Sequence, residues 1–282
     1  MPQMLSMNNR ALPNNLTLIA GSPFPLKISG LGSDKRHVVL KSSSPLVKIV
    51  VVSANDRNLE QTLRLEPASV PTAVTATVEA YLASNLSRRD DKTRGLALKI
   101  EPKIDLPEEK TEIGMVTRML LAEAPNPGDK TFTAEESSGT MQRMLLVMYN
   151  RLEFGPQHFK SSKGASVADL IKSPDQVRGF ENYPKIVKEQ ADLIGRIVSI
   201  ANTSAHQDNL KYRQHVRDAI AVASGGKPAK DPCPTKLYGW RTKDHPMNNP
   251  NYVKYETYGG QDFYTLSESF RQDPLQRHKT KK

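Results

Sequence analysis

With a single cysteine, Cys233, in 282 residues, the chain can form no intrachain disulfide and no cysteine-based metal cluster. Cys233 lies between Pro232 and Pro234 with no histidine at motif spacing, so it is expected to be an inert loop thiol. No apolar run approaches the roughly 18 to 20 residues of a membrane span, and LVKIVVV has only the length of a buried strand. His206, His215 and His245 are too far apart in the chain for a metal motif, and no HExxH spacing occurs, so neither a metal nor another cofactor is expected. Aromatic residues make up 6%, without the spacing of an RNA-binding sheet or a zinc finger. There is no internal repeat. The opening stretch, MPQMLSMNNRALPNN, does not show the basic region and apolar core of a secretory leader.

What the chain has in excess is positive charge. Forty Lys and Arg against 30 Asp and Glu give a formal net charge of +10, which attracts polyanions: nucleic acid, acidic membrane surfaces or an anionic bacterial wall. Apart from RHKTKK at the end, the basic residues are scattered. Without a nucleic-acid motif or a spanning segment, neither nucleic acid nor membrane insertion is expected. A hydrophobic content of 37% and a mean hydropathy of −0.54 describe a globular chain with a polar surface, and the length suits about two domains.

The hydrophobic period divides the chain. After a polar stretch over residues 1–15, read as flexible, short β-rich runs follow one another: LTLIAG, PFPLKISGL, RHVVLKSS, LVKIVVVSA, QTLRLEP and GLALKIEP. Several alternate apolar and polar residues, as a sheet with one buried face requires. Residues 16–104 are therefore expected to form an immunoglobulin-like β-sandwich, although the usual buried Trp and paired cysteines are missing. VPTAVTATVEAYLASN is ambiguous between strand and helix. KIEPKIDLPEEKTE has the composition of a linker, and beyond it the period changes to that of helices, so residues 105–270 are expected to be mainly α and residues 271–282 a disordered basic tail. The expected class is thus α+β, in more than one domain. Helices are predicted to end at Glu123, to cover MQRMLLVMYNRL with a cap at Ser138 or Thr140, and to cover VADLIKS, PKIVKEQADLIGRIVSIAN and LKYRQHVRDAIAVASGG. The aromatic and Asn-rich stretch NNPNYVKYETY is expected to be loop packing.

One carboxylate stands out. In MVTRMLLAEAPNP, Glu123 continues the apolar stripe of Val116, Met119 and Leu120, and so points inward. Pro125 and Pro127 stop the helix just beyond it, which leaves the carboxylate at the negative end of the dipole. Burial and dipole both favour the protonated form, the state a general acid needs. The competing reading is a helix-ending Glu whose side chain bends out to solvent.

The C-terminal half resembles the SleB-like cell-wall hydrolases. The resemblance is carried by short pieces in order over about residues 112–266: MVTRMLLAEA, MQRMLLVMYNRL ending in Asn150 and Arg151, VADLIKSPDQVRGF with Gln176 and Phe180, DAIAVASGGKPAKDPCPTKLYGW, and GGQDFYTL with Phe263 and Tyr264. It implies a lysozyme-like catalytic domain whose catalytic glutamate is Glu123. The chain departs from the family in a longer loop after Glu123, in Gln261 and Asp262 where a His precedes the closing Phe-Tyr, and in Cys233 and Pro234 where small residues are usual.

The implied substrate is peptidoglycan, and the implied reaction is cleavage of the β-1,4 bond between its two amino sugars, by a lytic transglycosylase or by a muramidase or glucosaminidase. If a second carboxylate activates water, Glu135, Glu136 and Asp129 are the candidates in the loop after Glu123. Gln176, Asn182 and Tyr183 are candidates to bond the acetamido groups, and Phe180, Tyr238, Trp240, Tyr252 and Tyr264 to stack on sugar faces. A wall hydrolase without a leader is expected to be made in the bacterial cytoplasm and to act in the periplasm or wall of a target cell, as an injected type VI-like antibacterial effector or a phage lytic protein. Its expected partners are then an immunity protein and a secretion-machine or phage-tail component. The alternative is a non-catalytic wall-binding or adaptor protein.

Overall fold

The computed structural model describes residues 3–31, 38–55, 60–90 and 93–272. The chain divides into two compact units: residues 1–103 together with 202–209, and residues 104–201 together with 210–282.

The first unit holds two sheets. One runs in the order β1 (Gln3–Ser6), β3 (Phe24–Ser29), β6 (Glu60–Pro67), β5 (Val47–Asn55), all antiparallel. The other runs β2 (Asn15–Ile19), β9 (Leu96–Glu101), β7 (Val74–Leu82), β4 (Val38–Ser42), with β8 (Asn85–Arg89) on β7 and the β2–β9 pair parallel. Alternation explains the layering. Leu26 and Ile28 of β3 and Leu63 and Leu65 of β6 face one core together with Val78, Leu98 and Ile100 of the second sheet, while their neighbours in the chain face outward. The ambiguous Thr- and Val-rich stretch is β7, because in a sheet its β-branched residues pack where a helix would restrict their rotamers. β1 falls inside the stretch read as a flexible N-terminus and pairs with β3.

The second unit begins with α1 (Glu112–Glu123) and α2 (Ser137–Phe154), followed by a 3-10 turn (Pro156–Phe159) and α3 (Val167–Lys172). Next come α4 (Lys188–Ala201) and α5 (Asn209–Ser224), although Asn209 itself belongs to the first unit. A three-stranded antiparallel sheet, β10 (Gly239–Thr242), β12 (Gln261–Leu266) and β11 (Tyr252–Tyr258), is then followed by α6 (Glu268–Gln272). Met119 and Leu120 of α1, Met141, Met144, Leu145 and Met148 of α2, Val216 of α5 and Phe263 of β12 share its core. α2 starts one residue before the predicted cap at Ser138. Its N-cap position is Glu136, which makes no side-chain cap bond, and the Thr140 hydroxyl donates to the Glu136 carbonyl at 2.8 Å.

The expected architecture, an immunoglobulin-like sandwich followed by a mainly α lysozyme-like domain, is corrected by this arrangement. The described residues form three sheets, and the C-terminal unit mixes helix with strand. What stands is coarser: strands fill the N-terminal half, and helices come later. The stretch taken for loop packing, NNPNYVKYETY, contains β11, and its Asn and Pro residues mark only the turn before it. Density of Tyr with alternating Lys and Glu is the pattern of a half-exposed strand, and the turn signals beside it concealed that. The predicted basic tail lies, from residue 273 on, outside the described residues.

Candidate active site

α1 is built to end at a fixed place. The Thr111 hydroxyl accepts from Gly114 N at 3.0 Å and caps the start, and Glu112 occupies the favourable first turn. At the other end Ala124 is extended, its N–H donates to the Leu120 carbonyl, and Pro125 follows. Glu123 is the last helical residue, and its side chain is half-buried.

Two clefts meet at that carboxylate. One, of about 820 Å³, is lined by Glu123 with Asn126, Asp129, Lys130, Glu189, Asp192 and Arg196 among others. The other, of about 620 Å³, is lined by Glu123 with Arg151, Gln176, Trp240, Arg241 and Tyr252 among others. Glu123, Thr242 and Gln261 line both. The sheet supplies the partners of the acid: Trp240 Nε1–H, from β10, donates to Glu123 Oε2 at 3.1 Å, and Gln261 Nε2–H, from the facing strand β12, donates to the Glu123 carbonyl at 3.4 Å.

Burial pushes the Glu123 carboxyl above the ordinary carboxylate range, against the Trp240 hydrogen bond and the charges of Arg241 and Arg178, which pull it down. An indole N–H can only donate, so Oε2 is fixed as the acceptor and the carboxyl proton belongs on Oε1. Behind Trp240 the support continues. The Arg151 guanidinium lies 5.6 Å from the Trp240 ring and 5.3 Å from that of Phe159; its Nε–H donates to the Tyr238 carbonyl at 2.8 Å and its Nη1–H to Gln176 Oε1 at 2.9 Å.

Of the other residues singled out in the sequence, Gln176, Trp240 and Tyr252 line the second cleft and Asp129 the first. The remainder do not line either. Phe180 is wholly buried and stacks on Tyr183 at 6.0 Å, whose hydroxyl donates to the Glu109 carbonyl at 2.7 Å. Tyr238 packs against Phe154 and Phe159 in the core, and the buried Tyr264 hydroxyl accepts from Met247 N at 3.3 Å. Asn182 and Glu135 are exposed. Glu136 braces the turn between β11 and β12, its Oε2 accepting from Thr133 Oγ1 at 3.0 Å and from Gly259 N at 3.1 Å. Asp129 spends its Oδ2 on Asn126, accepting from the backbone N at 2.8 Å and from Nδ2 at 2.7 Å.

The sequence reading did not assign Arg151, Arg241, Thr242 or Gln261 to the site. One available signal was the alternation in QDFYTL, which sets Gln261 and Phe263 on the same face of a strand, and Arg151 and Gln261 both fall in the pieces that carry the family resemblance. Among the described residues no group of three or more His, Cys, Asp or Glu is placed to hold a metal ion, and Cys233 is buried and free. No described helix is long and apolar enough to cross a membrane.

No protein-family model matches the chain, and no curated protein matches it. Among solved structures, a cysteine protease inhibitor from Entamoeba histolytica aligns over 32% of this chain and 84% of its own at 9% identity, with a TM-score of 0.24. A mutant titin domain aligns over 35% of this chain and 91% of its own at 14% identity, with a TM-score of 0.22. Likeness at that level carries no argument about fold or function.

Proposed function

We propose that the second unit cleaves the glycan strand of peptidoglycan, with Glu123 as the general acid. The observation that carries this reading is the position of Glu123: an acid whose proton is favoured by burial, oriented by Trp240, at the junction of two clefts of about 820 and 620 Å³ that offer a place on either side of a scissile bond. The motif order of the C-terminal half, similar to that of SleB-like cell-wall hydrolases, supports the substrate class.

In this reading Oε1–H protonates the glycosidic oxygen as the C1–O bond breaks and positive charge develops on the sugar ring. The sugar's own 6-hydroxyl then closes on C1 and returns its proton to Glu123, giving a 1,6-anhydro sugar. The placement of the three acids offered by the loop after Glu123 supports this internal route over attack by water activated there. Glu135 and Glu136 do not line a cleft with Glu123, and Asp129, which does, is held by Asn126.

The test is digestion of purified sacculi followed by mass spectrometry of the soluble products. Anhydro-muropeptides are expected; reducing ends would replace the internal route by hydrolysis, and no release would leave a binding protein. Glu123→Gln keeps an acceptor for Trp240 but has no proton to give at neutral pH, so release should fall by about a hundredfold or more while the melting temperature stays close to that of the wild type.

A further inference from the structure

The smaller of the two clefts contains cationic groups that the protein does not neutralise. Arg151 is only 7% exposed, and each of its bonding partners is uncharged: the Tyr238 carbonyl, the Gln176 amide oxygen and the Tyr252 hydroxyl, with the faces of Phe159 and Trp240 nearby. Arg241, from β10, lines the same cleft. Among the described residues neither guanidinium forms an ion pair with a carboxylate. The acids of that cleft are otherwise placed: Asp175 pairs with Lys160, Glu123 is held by Trp240, and Glu181 is exposed. The third arginine there, Arg178, reaches Glu189 at 3.9 Å.

A buried cation is usually matched by an anion, because burial takes away its hydration and neutral dipoles restore only part of it. Here a second positive charge faces the first, and after burial Arg241 is a further influence holding Arg151 below the ordinary guanidinium range. The larger cleft differs: its charged residues Asp129, Lys130, Glu189, Asp192 and Arg196 are all exposed, and Asp192 pairs with Lys188. A buried positive charge without a carboxylate partner thus lies, among the described residues of the two clefts, only on the Arg151 side of Glu123.

We propose that the arginine-lined cleft is a carboxylate subsite: Arg241 and Arg151 bind the acid carried on the 3-O substituent of alternate sugars, and the neutral amino sugar lies on the Glu189 and Asp192 side. The inference rests on the glycan-cleavage reading. It deepens that reading by making the protein selective for acid-bearing strands over neutral chitin-like ones. Because acid-bearing and neutral sugars alternate, a fixed polarity across Glu123 also admits only one of the two β-1,4 linkages to the acid, so the products should carry one kind of new end and not a mixture.

The test uses the full chain carrying Glu123→Gln, which binds without cleaving and removes any influence of Arg241 on the titration of the acid. Calorimetry compares three tetrasaccharides: a neutral chitin tetramer, a peptidoglycan tetramer stripped of peptide and so bearing free lactyl carboxylates, and the peptide-bearing form. A carboxylate-bearing tetramer should bind about tenfold or more tighter than the chitin tetramer, as expected for a charge-assisted contact to arginine, and the margin should shrink with added salt. The stripped and peptide-bearing arms show which carboxylate is read. Adding Arg241→Gln should reduce the preference several-fold, and this variant avoids disturbing the buried Arg151. Equal affinity for all three sugars, or a preference undiminished by Arg241→Gln, overturns the subsite. Cleavage of sacculi by the wild type without any preference removes the subsite alone, whereas a preference without cleavage removes the enzymatic reading and leaves the subsite standing.

Discussion

At the scale of single residues, Glu123 and His215 are both held toward their neutral forms by burial, and their environments give that opposite consequences. Glu123 is displaced toward its neutral form beside open clefts, where a substrate oxygen can receive the proton. His215 is displaced toward its neutral form in a closed place. It is 1% exposed, and burial holds its ring at a pKa of about 4 against an ordinary 6.5. Its Nδ1 lies 3.1 Å from the Ser137 hydroxyl, which also bonds the Asp218 carboxyl. If that hydroxyl donates to Asp218, it accepts from Nδ1–H, and Nε2 is left as a bare acceptor without a partner, with Phe132 edge-on to the ring at 5.8 Å. Above 6.5 both folded and unfolded chains hold this histidine neutral. As the pH falls below that, the unfolded chain takes up the proton while the fold resists it down to about 4, so stability is full above 6.5 and is lost across the interval. The loss from this one group approaches about 3 kcal/mol. Thermal melts from about pH 7 down to pH 4.5 should therefore fall more steeply for the wild type than for His215→Phe, whatever the absolute stability of the variant. Parallel curves would show that acid sensitivity comes from carboxylates instead.

At the scale of elements, α1 shows what a sequence can disclose and what it cannot. Its apolar stripe, its acidic first turn and its proline stop are local, and they place Glu123 at the last helical position without any knowledge of the fold. The same reasoning failed for the partners of Glu123, because Trp240 and the acid are 117 residues apart and nothing in the local pattern of either records the other. It failed also for Glu136, which looked available because loop acids generally are, but which is engaged by a backbone N–H 123 positions away. Of the five aromatic residues offered as sugar platforms, Trp240 and Tyr252 line a cleft, whereas Phe180, Tyr238 and Tyr264 are buried, because a fold of this size fills its interior with bulky side chains. α1 also contains a glycine whose role is invisible in the sequence. Gly114 is helical, and Ala is ordinarily the better helix former by about 1 kcal/mol. Here an added Cβ would stand 2.0 Å from the Glu108 carbonyl oxygen, backbone that cannot move without disturbing the Thr111 cap. Gly114→Ala is thus expected to destabilise the chain by about 1 to 3 kcal/mol in denaturant titration, the reverse of the propensity scale. A gain in stability would show that the turn before α1 relaxes freely.

At the scale of the whole chain, a change of hydrophobic period can mark a boundary only along the sequence, and this chain is not divided in that way alone. Residues 202–209 belong to the first unit although the helices on either side belong almost wholly to the second. Ser204 shows what holds that segment. Its backbone N–H donates to the Ser22 hydroxyl at 2.8 Å, its own hydroxyl accepts from Ile19 N at 2.8 Å and donates to the Ser22 carbonyl at 2.8 Å, and it is 4% exposed. These bonds join residues 182 and 185 positions apart, so the strand pattern and the helix pattern are both silent about them. Ser204→Ala removes the hydroxyl and leaves the buried Ile19 N–H and Ser22 carbonyl without their partner, which should cost about 1 to 3 kcal/mol. Ser204→Gly removes the same bonds and adds backbone freedom, so it should be the worse of the two. The readout is hydrogen exchange at Ile19. Its amide should lose protection in both variants, while amides in the core of α2 exchange as before. Unchanged protection at Ile19 would mean that the segment is held by its length between α4 and α5 and not by this serine.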